Sequence, residues 1–476
     1  MSFLLLVLQV AFWCFVSGAA AWIVACIWLH LRHPEPYWDW NTIDVDDVSF
    51  PPEFTWGVAS AAHQVEGGSE NSNWSWWETQ TDDAGQPRIA GGQKAGSACE
   101  HWERYPEDIE HIKQLGVSSY RFSLEWSKIE PEPGVFDEAA IAHYHDVLAA
   151  LKAAGITPMI TLLHFSWPLW FEGKGAFEKS ENIHYFLRFA ERVFQEYRPA
   201  CKLWCTVNEP EVVSLIGYLL GMFPPGGKDL RTAVLVQRNL VLAHAQAYHR
   251  LKHMPGGGTA QIGVVKNIFQ FEPYRRWSLP EWVVARVADW AHNGAIMRYL
   301  ETGHYHWRVP WFAWVTSYDP EVKGAGDFFG LNYYSHAHVK LKWDRAEPLE
   351  LTRKPGEIPT DFHYALYPEG FLRALRRSAK LGKPIYVTEN GAPDATDGIR
   401  DTFIRRYLYA LHQARVEGID LRGYYYWSLM DNFEWAEGYD QRFGLYHVDF
   451  ETQRRTLREG AKAYVRVVRD CSDATY

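Results

Sequence analysis

Short apolar runs alternate with amphipathic stretches along most of the chain. Eight of the apolar runs are rich in β-branched and aromatic residues and have the length of buried strands. They lie at residues 55–59, 119–122, 156–163, 203–207, 261–265, 328–332, 384–388 and 423–427. Strands that alternate with helices in this way are typical of a parallel sheet. The pattern therefore predicts an α/β protein, a single (β/α)8 TIM barrel with its active site at the carboxyl ends of the strands.

One helix-strand unit shows how the local signals agree. Asp137 is a residue type that caps helices, and apolar residues recur at helical spacing from there to Leu151. Gly155 then supplies a left-handed stop immediately before the next apolar run. Ordinary capping residues therefore mark where the helix of this unit begins and ends.

The N-terminal segment has a different pattern. Residues 2–31 contain no Asp, Glu, Lys or Arg, and as a helix they would extend about 45 Å, more than a bilayer core of about 30 Å. Aromatic residues that suit the headgroup level follow, namely Trp28, Tyr37, Trp38 and Trp40. We expect a transmembrane anchor at residues 2–31, a connector at 32–49 and the barrel domain at 50–470. The protein is then a single-pass membrane protein with the lipid bilayer as a partner.

A secretory signal peptide cut near Ala19, Ala20 and Ala21 is the alternative interpretation of this segment. It would lack a charged amino-terminal region and leave an apolar stretch behind the cut. Arg32 alone does not fix the orientation of an anchor, so the side of the membrane stays open.

Composition excludes several classes of protein. Hydrophobic residues are 47% and charged residues 22% of the 476 residues, so the body is globular rather than disordered. The net charge of −10, without a concentrated basic patch, argues against nucleic acid as a partner. The histidine pairs His143/His145 and His304/His306 lack further ligands at metal spacing. No cofactor and no metal are implied.

Two of the predicted strands end in carboxylates. Glu209 follows the strand at 203–207, and Glu389 follows the strand at 384–388. Carboxyl ends of barrel strands share one mouth, so these two groups can form a pair. Paired carboxylates suit acetal hydrolysis, in which one is protonated and the other ionised. Two unrelated structural acids are the alternative interpretation.

The other strand ends carry residues that fit a sugar site. Arg121 can hold a carboxylate ionised, and Gln64, His164 and Asn208 offer hydrogen bonds to hydroxyl groups. Further candidates supply apolar faces or hydrogen bonds, namely Trp427, Trp435, Phe443, Asn332 and Tyr334.

Together these segments resemble the glycoside hydrolase family 1 β-glycosidases. The matching stretches include Tyr120-Arg121-Phe122-Ser123, Thr206-Val207-Asn208-Glu209-Pro210, Val387-Thr388-Glu389-Asn390-Gly391 and the tract from Trp427 to Gly438. The resemblance implies that Glu209 is the general acid/base and Glu389 the nucleophile. It also implies that Arg121, Asn332 and Tyr334 orient the nucleophile. The residues expected to contact substrate are Gln64, His164, Asn208, Tyr334, Trp427, Glu434, Trp435 and Phe443.

The predicted function is a retaining β-glycosidase that hydrolyses terminal β-linked glucosyl or galactosyl residues. The chain has His164-Phe165-Ser166 where the family usually has His-Trp-Asp, so an indole donor beside the sugar is missing. The chain is also similar to the membrane-bound plant galactolipid galactosyltransferase around residues 388–400 and in its apolar N-terminus. Two alternatives stay open: a transglycosidase that moves sugars between glycolipids at a membrane, and a sugar-binding receptor without turnover.

Overall fold

The computed structural model describes residues 2–309, 313–344, 347–362 and 364–473, and its centre is a closed barrel of eight parallel strands. The strands in chain order are β1 (Thr55–Ala59), β2 (Ser119–Ser123), β3 (Thr157–Leu163), β4 (Leu203–Asn208), β5 (Gln261–Asn267), β6 (Phe328–Asn332), β7 (Ile385–Asn390) and β8 (Leu421–Trp427). Each strand pairs with its sequence neighbours, and β1 closes the ring against β8. The predicted TIM barrel is confirmed.

The strands differ from the predicted runs mainly at their carboxyl ends. Asn208 belongs to β4, and Glu389 and Asn390 belong to β7, although their side chains are polar. Backbone pairing continues across these residues, since Asn208 pairs with Val265 of β5, Glu389 with Asn332 of β6 and Asn390 with Tyr426 of β8. A prediction from the hydrophobic pattern alone ends a strand where polar side chains begin. The predicted strands are therefore too short at these ends.

Helices and short turns of helix surround the barrel. The longer helices are His101–Leu115, Glu138–Ala153, Ile183–Tyr197, Leu230–His253, Leu279–Asp289, Ala295–Thr302, Pro368–Ala379, Arg400–Val416 and Lys462–Asp473. Short helical segments lie at Ala62–Val65, Asn73–Trp77, Ala90–Gly92, Trp126–Ile129, Leu169–Glu172, Ala176–Glu178, Ser180–Asn182, Pro210–Val212, Val213–Gly217, Gly257–Thr259, Trp290–Gly294, Pro320–Val322 and Trp435–Glu437. Asp137 caps its helix as expected, because its carboxylate accepts the N–H groups of Ala139 and Ala140 at 2.8 and 3.1 Å.

Further strands lie outside the barrel, and the hydrophobic pattern did not predict them. Gln270–Pro273, His336–Leu341 and Leu349–Thr352 form a three-stranded sheet, which we call the outer sheet. Its first two strands follow the carboxyl ends of β5 and β6 directly, so the outer sheet lies on the mouth side of the barrel. Two hairpins complete the strands, His304–Val309 with Ala313–Tyr318 and Tyr446–Asp449 with Arg454–Leu457.

The N-terminal apolar segment is a helix over Ser2–Arg32. Within the described residues, one helix is long and apolar enough to cross a membrane, judged by length and composition. It covers Phe3–Arg32, and its most apolar part has a mean hydropathy of 2.1 and is not buried by the rest of the protein. A signal sequence has the same properties. The end of this helix contacts the body, where the Cys26 thiol donates to the carbonyl oxygen of Trp277 at 3.1 Å.

The connector is fixed to the outside of the barrel along its length. The backbone N–H of Trp38 and the indole N–H of Trp40 donate to the Glu369 carboxylate at 2.7 and 3.2 Å. At its end, the Phe50 ring packs 4.8 Å from Phe54, next to β1. The connector therefore runs from the mouth side, where the helix Ser2–Arg32 ends, to the start of the first barrel strand.

Burial in the outer helices should dominate the stability of the barrel. Leu411 is fully buried in the helix Arg400–Val416, whereas Val416 at the end of the same helix is 66% exposed. We expect Leu411→Ala to lower the free energy of unfolding by about 2–5 kcal/mol, because it removes buried methyl groups and leaves a cavity. Val416→Ala is the control and should change it by less than about 0.5 kcal/mol. Thermal unfolding of the two variants in parallel provides the measurement, and equal midpoints would contradict the packing described here.

Candidate active site

Glu389 lies on β7 with its carboxylate held between two donors. Arg121, on β2, donates from Nη1 to Glu389 Oε1 at 2.6 Å, and the Tyr334 hydroxyl donates to Oε2 at 2.6 Å. The side chains of Arg121 and Glu389 are 1% and 3% exposed. A charge-assisted hydrogen bond and a second donor at this burial stabilise the ionised carboxylate. Glu389 is thereby fixed in position.

Arg121 is itself fixed by its other nitrogens. Its Nη2 donates to Asn208 Oδ1 at 2.8 Å, and its Nε donates to Thr161 Oγ1 at 3.1 Å. A third bond runs from Nη1 to the backbone oxygen of Thr388 at 3.0 Å. The planar guanidinium group therefore links β2, β3, β4 and β7. Its hydrogen bonds restrict the position of the Glu389 carboxylate.

Glu209 follows β4 in a left-handed backbone conformation, with φ 46° and ψ 66°. This conformation is uncommon for a residue with a Cβ and occurs preferentially at functional sites. The Asn332 amide donates to Glu209 Oε1 at 2.6 Å. Asn332 is held in turn by Thr388, whose hydroxyl donates to its Oδ1 at 2.7 Å.

The two glutamates influence each other. Burial, the negative charge of Glu389 and that of Glu211 raise the pKa of Glu209 well above its usual value. Asn332 bonds to Glu209 and stands opposite Glu389 in the strand register between β6 and β7. Tyr334, which binds Glu389, has its pKa raised by burial and by the charges of both glutamates. The arrangement therefore places a carboxyl group of raised pKa and a carboxyl group paired with a guanidinium group at the same barrel mouth.

A second group of predicted residues lines the mouth beside the glutamates. The amide of Gln64 donates to Glu434 Oε2 at 3.1 Å. The His164 ring lies 5.7 Å from the ring of Trp427 and 5.9 Å from that of Trp435, stacked on both. Burial and the charge of Arg121 lower the pKa of His164 well below its usual value, so the imidazole is neutral.

The remaining predicted residues join the same group. The Asn208 amide nitrogen lies 3.1 Å from His164 Nε2, and the Phe443 ring stands edge-on to Tyr334 at 5.9 Å. Burial and the charge of Glu389 raise the pKa of Glu434 to about 8. All the residues that the sequence nominated for the site therefore meet at one mouth.

Phe165 occupies the position at which the sequence departs from the family pattern. It has a positive φ of 66°, and its ring packs 5.0 Å from Trp435. Its backbone oxygen accepts the indole N–H of Trp74 at 3.2 Å. Ser166 next to it donates to Glu125 at 2.9 Å. This corner thus presents an apolar ring where an indole would offer a donor.

Close backbone approach allows the strand ends to meet. A Cβ added to Gly391 would lie 1.7 Å from the carbonyl oxygen of Trp427, and one added to Gly330 would lie 2.8 Å from Val265. Glycine is therefore required at both places for β6, β7 and β8 to pack at these distances. The sequence analysis assigned no role to these glycines or to the supporting residues Thr161, Thr388 and Trp74, although Thr388 and Gly391 stand in the Thr-Glu-Asn-Gly motif, because each acts through a partner elsewhere in the chain.

Comparison with known proteins agrees with this geometry. The sequence pattern of Glycosyl hydrolase family 1 matches residues 46–472. Beta-glucosidase A of Thermotoga maritima is 33% identical over 444 residues, which cover 88% of this chain and 98% of that protein. Among solved structures, the beta-glycosidase from Pyrococcus horikoshii is similar with a TM-score of 0.79 and 36% identity, covering 89% of this chain and 95% of that one.

A second solved structure, the GH1 beta-glucosidase from Exiguobacterium antarcticum, has a TM-score of 0.81 and 30% identity, covering 90% of this chain and 99% of its own. These relatives are enzymes by name, so the alternative of a receptor without turnover finds no support among them. The chain belongs to glycosyl hydrolase family 1 and is a β-glucosidase-like glycoside hydrolase.

Proposed function

We propose that the chain cleaves terminal β-glucosyl or β-galactosyl residues by double displacement, with Glu389 as nucleophile and Glu209 as general acid/base. The observation that carries this proposal is the opposite state of the two carboxyl groups. Arg121 and Tyr334 stabilise Glu389 as an anion, while burial and the Glu389 charge raise the pKa of Glu209. A retaining glycosidase needs this combination.

In the first step, Glu389 attacks the anomeric carbon while Glu209 gives its proton to the departing aglycone oxygen. The bond from the anomeric carbon to that oxygen breaks, and a glycosyl ester of Glu389 forms. The Tyr334 hydroxyl holds one oxygen of Glu389 and Arg121 the other. The attacking carboxylate is therefore oriented before substrate arrives, which lowers the entropic cost of reaching the transition state.

In the second step, Glu209 acts as a base. The ester of Glu389 carries no negative charge, so the electrostatic contribution that raised the pKa of Glu209 disappears. Glu209 then accepts a proton from water, which attacks the anomeric carbon and releases the sugar with its original configuration. One residue serves both steps because its neighbour changes charge between them.

We propose that the sugar is held by Gln64, Glu434, His164 and Asn208 and rests against Trp427 and Trp435. Buried hydrogen-bonding groups discriminate strongly between hydroxyl patterns, because a mismatch leaves them unpaired. A carboxyl group at Glu434 also disfavours sugars that carry a phosphate there. The apolar ring of Phe165 offers no hydrogen-bond donor. We therefore expect the site to discriminate less between configurations at one sugar hydroxyl than it would with an indole at this position.

We further propose that the helix Ser2–Arg32 tethers the enzyme to a membrane with the active-site mouth on the membrane side. The end of this helix bonds to the segment before the helix Leu279–Asp289, which follows the outer sheet strand Gln270–Pro273 on the mouth side. Arg276 in the same segment donates to His30 Nδ1 at 2.9 Å and to the His33 backbone oxygen.

Exposed apolar side chains on these mouth-side elements support the tether. Trp277 is 69% exposed, and Val283 and Val287 are 55% and 57% exposed at helical spacing on the helix Leu279–Asp289. Trp343, in the connection after the outer-sheet strand His336–Leu341, is fully exposed, and Leu351 on the strand Leu349–Thr352 is 52% exposed. Large apolar side chains that stay exposed beside an apolar helix suit contact with lipid.

Glycolipid transglycosylation is the second candidate function, and the position of the helix Ser2–Arg32 on the mouth side favours it. A mouth that faces headgroups would meet glycosyl lipids as donors. The hydroxyl of a second glycolipid could then replace water in the second step, with Glu209 accepting its proton.

The double-displacement proposal predicts different defects for the two glutamates. Glu389→Gln should abolish turnover of every glycoside, because no nucleophile remains. Glu209→Gln should lower the rate of hydrolysis by about 10²–10⁴-fold for substrates with poor leaving groups. For aryl glycosides with acidic leaving groups, it should lower the rate of the first step far less. Glu451→Gln, on an exposed turn, is the matched control. NMR of the first product from a β-glycoside should show the β anomer, and an α anomer would refute the mechanism.

The charge coupling predicts a pH effect with a definite sign. Glu209 works as an acid while protonated, so kcat/KM should fall as the pH rises through its raised pKa. Glu389→Gln removes the like charge and should lower the pKa of Glu209. Carboxyl ¹³C NMR of Glu209 in the wild type and in Glu389→Gln measures this, with Glu451→Gln as control. An unchanged pKa of Glu209 would mean that the charge of Glu389 does not affect Glu209, which would contradict the coupling.

The membrane proposal predicts a retained N-terminus and a surface-specific defect. Intact mass of the full chain from carbonate-washed membranes should include residues 2–31; a soluble protein that starts near Trp22 would indicate a cleaved signal instead. Trp343→Ser should slow hydrolysis of a β-glycosyl lipid in bilayers several-fold and leave a soluble aryl glycoside unaffected. Trp314→Ser, which changes a 65% exposed tryptophan on a different hairpin, is the control. Oligoglycosyl lipid among the products supports transglycosylation, and free monosaccharide as the only product excludes it.

A further inference from the structure

A group of two histidines and two glutamates lies between the connector and the outer sheet, apart from the sugar site. Its members are Glu35 from the connector, His336 and His338 from the strand His336–Leu341, and Glu357 from the segment after the outer sheet. One nitrogen or oxygen of each lies within 4.8 Å of those of the others. Their side chains are at most 7% exposed.

The two nitrogens of His338 have different surroundings. Nε2 lies 2.6 Å from Glu35 Oε1, which fixes it as the protonated nitrogen that donates to this carboxylate. In the neutral imidazole, Nδ1 then carries the lone pair. It has no hydrogen-bond partner in the described part of the chain, and it lies 3.7 Å from Glu357 Oε1. A buried acceptor without a donor is costly and calls for an explanation.

His336 has the same deficit. Neither of its ring nitrogens has a hydrogen-bond partner among the residues that the structure describes, although Nε2 lies 3.2 Å from Glu357 Oε1. The ring is stacked on Tyr367 at 4.0 Å, which holds its orientation. His336 Nε2 and His338 Nδ1 therefore converge on one carboxylate oxygen.

We propose that His336 Nε2, His338 Nδ1 and Glu357 Oε1 bind a divalent transition metal of the Zn²⁺ class, with Glu35 supporting His338 from behind. Ligand atoms about 2.0–2.1 Å from a tetrahedral zinc stand about 3.3 Å apart, close to the observed 3.2 and 3.7 Å. A ligating histidine commonly donates its other N–H to a carboxylate, which is the role of Glu35. Water completes the coordination.

The surrounding charged groups contact the other oxygens of the two carboxylates, and the Tyr37 hydroxyl is the group that reaches Glu357 Oε1. Lys354 Nζ and Arg276 Nη1 contact Glu35 Oε2 at 2.7 and 3.3 Å, the oxygen that does not face His338. The backbone N–H of Lys354 occupies Glu357 Oε2 at 2.7 Å, so Oε1 is the oxygen left for an ion. The Tyr37 hydroxyl lies 2.6 Å from Glu35 Oε1 and 3.3 Å from Glu357 Oε1.

Such an ion would fasten the connector to the mouth side of the barrel. Glu35 lies just beyond the helix Ser2–Arg32, and the histidines belong to the outer sheet. The metal would thus act on the position of the N-terminal helix and contact none of the residues placed at the sugar site. Its presence can be tested independently of glycoside turnover.

The experiment is equilibrium dialysis of the detergent-purified full chain against ZnCl₂ after removal of metal with a chelator, with zinc measured by mass spectrometry. We expect about one equivalent of zinc in the wild type. His336→Asn and Glu357→Gln should lose it, and Glu35→Gln should weaken affinity about 10–100-fold, as for a residue that supports a ligand. His306→Asn, in a stacked histidine pair on the hairpin His304–Val309, is the matched control and should retain full binding.

Two measurements keep the test valid if a variant folds poorly. Turnover of a soluble aryl glycoside reports folding of each variant, because the cluster lies outside the sugar site. Co²⁺ added to the wild type should give a visible d–d spectrum that ZnCl₂ displaces, which requires no substitution. Substoichiometric zinc in the wild type, or equal zinc in His336→Asn, Glu357→Gln and His306→Asn, would overturn the proposal.

Discussion

The ion pair between Arg121 and Glu389 is the interaction on which the site depends. Both groups are buried, so each would be costly without the other, and removing one partner would leave an uncompensated charge. The pair also affects Glu209, because burial and the charge of Glu389 raise the pKa of its carboxyl group. One buried bond at 2.6 Å thereby supports both of the chemical roles that we propose for Glu389 and Glu209.

The barrel supplies the precision that this chemistry requires. Arg121 reaches four strands through its donors, and Asn332 joins Glu209 to the strand beside Glu389. Glycine at 391 lets the backbone after β7 approach Trp427. Because the strands are hydrogen-bonded in a closed ring, no single side chain can shift without displacing its neighbours, and the carboxyl groups stay in register.

The N-terminal part of the chain is organised around the same mouth. The helix Ser2–Arg32 ends near the outer sheet, and the connector returns along the outer helices to β1. Glu35 at this junction is buried among histidines although it belongs to a polar segment between two apolar ones. The proposed membrane attachment, the proposed metal site and the active-site mouth therefore lie on neighbouring surfaces of one side of the barrel.

The sequence by itself determined the eight strands, the strand-end glutamates and the long apolar helix, because each is encoded by neighbouring residues with a recognisable period or composition. Tertiary structure alone decided which partners these residues meet. Arg121 and Glu389 are 268 residues apart, and Glu35 and His338 are 303 residues apart. The outer sheet also escaped the hydrophobic pattern, since half of its strand Leu349–Thr352 faces solvent. Charge states and metal-like clusters depend on burial and on partners distant in sequence, and local pattern carries no information about either.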